Sequence, residues 1–231
     1  MSNYDSLASW YDSLTGDVPY PEFTDYYEKA FAENGGEFHT ILDLCCGTGT
    51  ICSMMSGKGY EMIAVDSSEE MLMEAREKSP ETLFLCQDAR ELDLYGTVDA
   101  CYSSLDSINY IPREDFETVL RRLHLFIRPG GLFIFDIRPE NWMEAMDGAV
   151  SVDETDDMLC LWRADYHDRV LSYGMDIFEL EGSAWNRYFE EHIEYAYSSG
   201  EIRTALENTG FSVVREDSSD NRRYFVAERN A

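Results

Sequence analysis

Ile41-Leu42-Asp43-Leu44-Cys45-Cys46-Gly47-Thr48-Gly49-Thr50 is the stretch on which the fold turns. An apolar run carries a carboxylate near its end and then breaks into two glycines one residue apart. Ile51, Cys52, Met54 and Met55 follow at the spacing of a helix start. Strand, tight turn and helix in that order build the first nucleotide-binding corner of a doubly wound α/β domain. Glycines there let the backbone turn sharply and let a ligand approach without meeting a Cβ. Three interpretations of the turn stay open. A dinucleotide fingerprint wants a third glycine three residues after the second, where Cys52 stands. An Asp-x-Gly-x-Gly-x-Gly pattern is matched by Asp43, Gly47 and Gly49, with Cys45 in place of its first glycine. A purely structural strand-to-helix turn is the third.

Working outward, 231 residues suffice for one substantial core, so one α/β domain with an insertion is expected rather than two independent domains. Hydrophobic residues at 44% and aromatic residues at 13% give a globular composition. No apolar run approaches membrane-spanning length, and the N-terminus lacks a basic, apolar signal pattern. Cysteines 45, 46, 52, 86, 101 and 160 fall mostly within apolar runs without paired CxxC spacing. They are expected to be reduced core thiols in a cytoplasmic protein, with no metal site. The chain carries 18 basic against 46 acidic residues, net −28, with only three lysines. A surface that follows phosphates needs clustered Lys and Arg, so nucleic acid is not expected as a partner. The acidity fits solubility, or attraction of a cationic acceptor such as an amine.

Upstream of the turn, Tyr4, Leu7, Trp10, Tyr11 and Leu14 recur near helical spacing. Asp17-Val18-Pro19-Tyr20-Pro21 interrupts them, and Pro21 opens a second helix predicted to reach about residue 32 before Gly35-Gly36. These helices are expected across the mouth of the sheet, where Tyr11 and Tyr20 either line a pocket or pack. Downstream, Glu61 to Asp66 is a second strand ending on a carboxylate, and Ser67 with Glu70 has capping-box spacing for a helix to about Lys78. Strands at 82–86, 98–102 and 132–137 follow, with Gln87-Asp88-Ala89-Arg90 after the first and Ser103 to Tyr110 after the second. A helix over about 114–125 and the turn Arg128-Pro129-Gly130-Gly131 precede the last of these strands. This alternation predicts a parallel sheet. Between Met158 and Tyr197 the period becomes two, with turns at Asp168-Arg169 and Gly182-Ser183, as expected for antiparallel strands. Ser198 and Glu201 cap a helix to Asn208, Gly210 stops it, and strands at 211–215 and 224–227 close the chain. The divisions are a helical cap at 1–36, a nucleotide-binding core at 37–137, an insertion at 138–197, and a terminal helix and hairpin at 198–231.

With these pieces in order, residues 38–230 resemble class I S-adenosylmethionine-dependent methyltransferases. Asp43 to Gly49 looks like their first motif, Asp66 like the acid that takes the ribose, and Asp88 like the acid at the adenine amino group. Arg128 to Gly131 resembles the turn before their fifth strand, and the terminal hairpin resembles the ending that separates them from NAD-binding domains. The segments around Tyr11-Asp12 and Asp17-Val18-Pro19-Tyr20 resemble a group of small bacterial methyltransferases. The resemblance implies a Rossmann-like seven-stranded sheet with a helical cap and a small antiparallel insertion. It also implies S-adenosylmethionine as cofactor and a small-molecule methyl acceptor, with the protein a monomer or homodimer. The implied cofactor-holding residues are Asp43, Gly47, Thr48, Gly49, Asp66, Ser67, Met71, Asp88, Ala89 and Ser103. Cys45 fits if its φ stays below zero.

Methyl transfer needs alignment and exclusion of water rather than a nucleophilic side chain. Ligand groups converge at the carboxyl ends of strands in such sheets. This nominates Asp106, Asn109, Asp136, His192 and Arg187 at the acceptor, with Tyr11 and Tyr20 as a lid. An amine acceptor must be neutral to attack, so a carboxylate or His is expected to take its proton. For His192 a hydrogen-bonded structural role is the favoured alternative, and Asp136 is equally expected as a helix cap. A nucleotide-binding oxidoreductase and a non-catalytic cofactor-binding regulator are the alternative classes.

Overall fold

The computed structural model describes residues 8–231; Tyr4 and Leu7 of the first expected helix lie outside them. In chain order the elements begin with α1 (Ala8–Leu14), α2 (Tyr20–Asn34), β1 (Thr40–Leu44), α3 (Thr50–Gly57), β2 (Glu61–Asp66) and α4 (Glu69–Lys78). Next come β3 (Leu83–Cys86), β4 (Val98–Ser103), α5 (Arg113–Phe126), β5 (Ile127–Ile137) and α6 (Glu140–Ala145). The insertion strands are β6 (Val150–Glu154), β7 (Met158–His167), β8 (Val170–Glu181) and β9 (Ala184–Tyr195). The chain finishes with α7 (Ser199–Asn208), β10 (Phe211–Ser218) and β11 (Arg223–Arg229).

Seven strands form one sheet in the order β10-β11-β5-β4-β1-β2-β3. Those from β5 through β3 are parallel, whereas β11 runs antiparallel to both β5 and β10. Their apolar runs face layers on both sides. On one face Phe116, Leu120 and Leu123 of α5 and Ile202 and Leu206 of α7 pack with Phe133, Phe135 and Phe225. On the other, Phe23, Tyr27 and Phe31 of α2 and Ile51 and Met55 of α3 meet Ile41, Tyr102 and Ile134. A sheet buried on both faces needs such continuous apolar strands. From β1 the chain moves outward through α3 to β2, and from β4 it moves the opposite way through α5 to β5. This divergence opens a crevice at the carboxyl ends of β1 and β4.

A second sheet, β6-β7-β8-β9, is antiparallel. Met158, Cys160, Met175 and Ile177 on its inner face pack against Trp10, Tyr11 and Leu14 of α1. The turns fall where expected: Asp168 and Arg169 both take positive φ (49° and 64°), and Gly182 takes 65°. Arg169 is held there by its guanidinium, which donates to Glu140, Glu201 and the Ala196 carbonyl. The insertion also contains β6, which the period-two pattern did not reveal because all five of its residues are exposed. The 3.6-residue pattern likewise missed α6, which is only six residues long.

Two local expectations are corrected. The cap of α4 is Ser68, whose Oγ accepts the Met71 N–H at 3.2 Å, rather than Ser67. Asp66 Oδ1 accepts the Ser68 N–H at 2.9 Å, and this short turn carries the helix start one residue further. By contrast, Ser198 and Glu201 form the expected reciprocal box at α7. The second correction is that β5 starts at Ile127. Its pairing slips from Val98↔Ile127 to Ala100↔Leu132, so Arg128 to Gly131 bulge out opposite Asp99. A Cβ on Gly131 would lie 2.7 Å from Ile127 Cγ2 and press on the Asp99 carbonyl. Gly131→Ala is expected to destabilise by about 1–3 kcal/mol through overpacking, read from urea denaturation; an unchanged midpoint would show that the bulge yields.

Candidate functional site

The crevice holds a cavity of about 570 Å³ where the tips of β1 to β4 meet. Gly47, Asp66, Ser67, Met71, Asp88 and Ala89, six of the residues nominated for the cofactor, line it together. Asp66 joins the first two tips: its Oδ2 accepts the Gly47 N–H at 2.8 Å while its Oδ1 takes Ser68. Burial raises the Asp66 carboxyl, opposed by these backbone hydrogen bonds, which favour its charged form. Asp88 is gripped by Arg90 through Nε at 2.9 Å and Nη2 at 2.6 Å, which lowers its pKa. Arg90 is itself fastened to Asp115 at 2.9 Å. A fixed, ionised acceptor therefore stands at the third tip.

The two turn glycines have different jobs. Gly47 sits at φ 54° with no atom within 4 Å of where a Cβ would point, and it lines the cavity. Gly49, at φ 70°, faces α4, where a Cβ would come 2.8 Å from the Ala75 Cβ. It lets two helices approach and lies outside the lining of this cavity. The expectation for Cys45 is also overturned: its φ is 60°. A side chain in this left-handed region costs about 1–2 kcal/mol, which packing of the half-buried thiol against the core opposes.

Below the turn a small cavity of about 40 Å³ is lined by Asp43, Thr48, Tyr11 and Tyr20. Thr48 Oγ1 donates to Asp12 Oδ1 at 2.7 Å, tying the turn to α1. The Tyr20 hydroxyl donates to Thr15 Oγ1 at 2.8 Å. Ser103 is fully buried and lines none of these cavities. Asp43 is 2% exposed and accepts the Tyr102 hydroxyl at 2.9 Å. Burial pushes its carboxyl up to about 8. A carboxyl raised in the folded state supports stability fully below its unfolded value and loses that support as pH climbs to the folded value. Asp43→Asn is therefore expected to flatten the decline of Tm between about pH 4 and 8; melts that keep the wild-type slope would contradict it.

A third cavity, of about 280 Å³, adjoins the first and shares Tyr11, Leu105 and Tyr110 with it. Asp106, Arg138, His192, Glu194 and Arg222 line it, with Trp142, Trp162 and Tyr173 among its walls. Of the acceptor nominees, Asp106, His192 and Tyr11 meet here. His192 is buried, with Nε2 3.3 Å from Glu190 Oε2 and its ring edge-on to Tyr110. Tyr20 lines the small cavity below the turn instead, and the other three nominees are placed elsewhere. Asn109 clamps the ends of β5 and β9, accepting the Arg138 N–H at 2.9 Å and donating to the Tyr195 carbonyl at 3.0 Å. Asp136 is buried beneath the cavity, accepting the N–H groups of Leu105 and Asp106 at 2.9 and 3.0 Å and an Arg222 guanidinium. These bonds hold Leu105 and Asp106 at positive φ. Arg187 binds Asp176 on β8, outside the cavity.

Sequence reasoning missed Arg138, Arg222 and Glu194. Along β9 the inward positions are Glu190, His192 and Glu194, at 9%, 2% and 2% exposure, while Ile193 faces outward at 39%. An alternating strand whose polar residues point inward carries a signal, but the neighbouring Ile193 and Tyr195 suggest the opposite register. No three His, Cys, Asp or Glu side chains form a metal cluster among the described residues. None of the described helices is long and apolar enough to cross a membrane.

A doubly wound sheet that ends in an inserted antiparallel strand, with acids at successive tips around a glycine turn, defines a methyltransferase fold. The comparisons agree. A methyltransferase-domain family profile matches residues 41–131. The methyltransferase-family protein YqeM of Bacillus subtilis is 32% identical over 92% of this chain and 87% of its own length. The chain belongs to the S-adenosylmethionine-dependent methyltransferases. An S-adenosylmethionine-dependent methyltransferase from Clostridium acetobutylicum superposes with a TM-score of 0.88 and 26% identity, covering all of both chains. CalS10, an amino pentose methyltransferase from Micromonospora echinaspora solved with S-adenosylmethionine bound, shares the fold at a TM-score of 0.81. Its identity is 18%, over 96% of this chain and 97% of its own. S-adenosylmethionine is the cofactor. The cradle fits it: space above Gly47 that a side chain would fill, an acid at the second tip, and Met71 on the cavity wall.

Proposed function

We propose that this enzyme methylates a small molecule held in the 280 Å³ cavity. The observation that carries this is the junction of the 570 and 280 Å³ cavities at Tyr11, Leu105 and Tyr110. The cofactor supplies an electrophilic methyl group on a positively charged sulfur. The chain's residues bind, orient and exclude water. Gly47 and Asp66 are assigned to the cofactor's amino acid and ribose portions, Asp88 and Ala89 to the adenine, and Met71 to its face. Asp43 steadies the turn from below, and Tyr11, on the short cap helix, closes the junction against solvent. An amine acceptor fits the acidic chain and the amino-sugar enzyme that shares the fold. Six free thiols fit a reducing compartment and support a cytoplasmic enzyme, proposed to act as a monomer or homodimer.

Calorimetric titration with S-adenosylmethionine, followed by transfer of a labelled methyl group into a metabolite panel read by mass, tests the proposal. Labelled product in a small molecule is the expected result; labelling confined to protein or nucleic acid would overturn it. Tyr11→Ala is expected to lower kcat/KM about tenfold or more by loosening alignment at the junction, with Tyr11→Phe close to wild type. Equal activity of both variants would remove Tyr11 from the site.

A further inference from the structure

We propose that Glu194 is the group that recognises the methyl acceptor, and that it does so by binding the ammonium of a compact amine against the aromatic walls of the 280 Å³ cavity. This rests on the methyl-transfer reading of the same site. Glu194 is 2% exposed and lines the cavity. Tyr110 hydrogen-bonds its carboxylate, yet Oε2 accepts no hydrogen bond from any described residue. Buried carboxylate oxygens are ordinarily satisfied, because stripping them of water without replacement is costly. An oxygen left in this condition beside an open cavity is shaped for a donor that arrives with the ligand.

The charge balance selects the donor's sign. Asp106, Arg138 and Arg222 face Glu194 across the cavity, with Tyr110 and Tyr173 beside it. Both guanidiniums are already engaged. Arg222 binds Asp106 at 2.6 Å and also Asp136, while Arg138 lies 3.4 Å from Asp106 and stacks over Trp142, 4.4 Å from the ring centroid. Three carboxyl groups thus share two guanidiniums, and one ligand cation would let all three ionise together. Tyr11, Tyr173 and Trp162 line the same space, and aromatic rings attract a cation. Burial, the largest influence, raises the Glu194 carboxyl well above its usual value, so it also suits the proton step that an amine requires. In that step an ammonium N–H bond breaks, its electron pair stays on nitrogen, and the proton passes to Glu194 Oε2.

The experiment uses the full chain and three probes of similar size: benzylamine, benzyl alcohol and benzoate. Binding is followed by tryptophan fluorescence, since Trp142 and Trp162 line the cavity, with and without S-adenosylmethionine. Benzylamine is expected to bind about tenfold or more tighter than either other probe, the range set by a hydrogen bond to a charged group. Glu194→Gln, nearly the same shape, is expected to erase the preference, and Glu194→Asp to keep part of it. Equal binding of benzylamine and benzyl alcohol to the wild type overturns the proposal without any variant. So does a preference that survives in an E194Q protein with wild-type melting. If amine preference is absent while S-adenosylmethionine still binds, this inference alone fails; loss of cofactor binding in the wild type fails the parent reading instead.

Discussion

Arg222→Met is expected to destabilise the protein by about 3–5 kcal/mol, the cost of removing one partner from a buried ion pair. At roughly 2–4 °C per kcal/mol for a chain of this size, Tm should fall by about 6–20 °C. The guanidinium is 11% exposed and serves Asp106, at 14%, and Asp136, at 1%. Asp136 cannot move away, because it also holds the Leu105 and Asp106 amides that shape the cavity floor. Burial already raises the Asp136 carboxyl, and Arg222 is what opposes that rise. Without Arg222 its protonated form should prevail to higher pH. Acidification should then restore part of the lost stability, since a proton removes the uncompensated charge. Arg222→Met combined with Asp136→Asn should recover part of the loss at neutral pH. A single-variant loss under about 1 kcal/mol would mean that the cluster is solvated and behaves as a surface pair.

Asp66→Ala should weaken S-adenosylmethionine binding about ten- to a hundredfold, following from roughly 1.5–3 kcal/mol for hydrogen bonds to a charged group. Two effects act together. The carboxylate nominated for the ribose is lost, and the Gly47 and Ser68 amides lose the acceptor that binds the first tip to the second. Asp66→Asn separates them, because its carbonyl oxygen still accepts one amide. It should fall between the wild type and the alanine variant by calorimetry. Affinity unchanged in both variants would exclude Asp66 from the cofactor site.

These two residues were not equally readable from sequence. Asp66 announces itself as an acid ending an apolar strand shortly after a glycine turn, and Asp88 repeats the pattern at the third tip. Asp136 carries the same local signature at the end of β5, yet it is consumed by Leu105, Asp106 and Arg222. Arg222 lies 86 positions away in the chain, on the approach to β11. Nothing near position 136 encodes that partner. Gly47 and Gly49 likewise match one motif, although only their surroundings separate the one open to the cavity from the one pressed against Ala75.

By itself the sequence determined the order of the strands and helices of the main sheet, its parallel pairing, the terminal hairpin, the hairpin turns of the insertion and the glycine bend. Each of these depends on propensities and periodicities expressed within about a dozen residues. Tertiary structure alone decided which polar side chains face a cavity. It turned Glu194 inward and Ile193 outward, and it gave Asn109 and Asp136 structural duties. The physical reason is that burial and electrostatic pairing belong to neighbours in space, and residues brought together from distant strands share no local pattern.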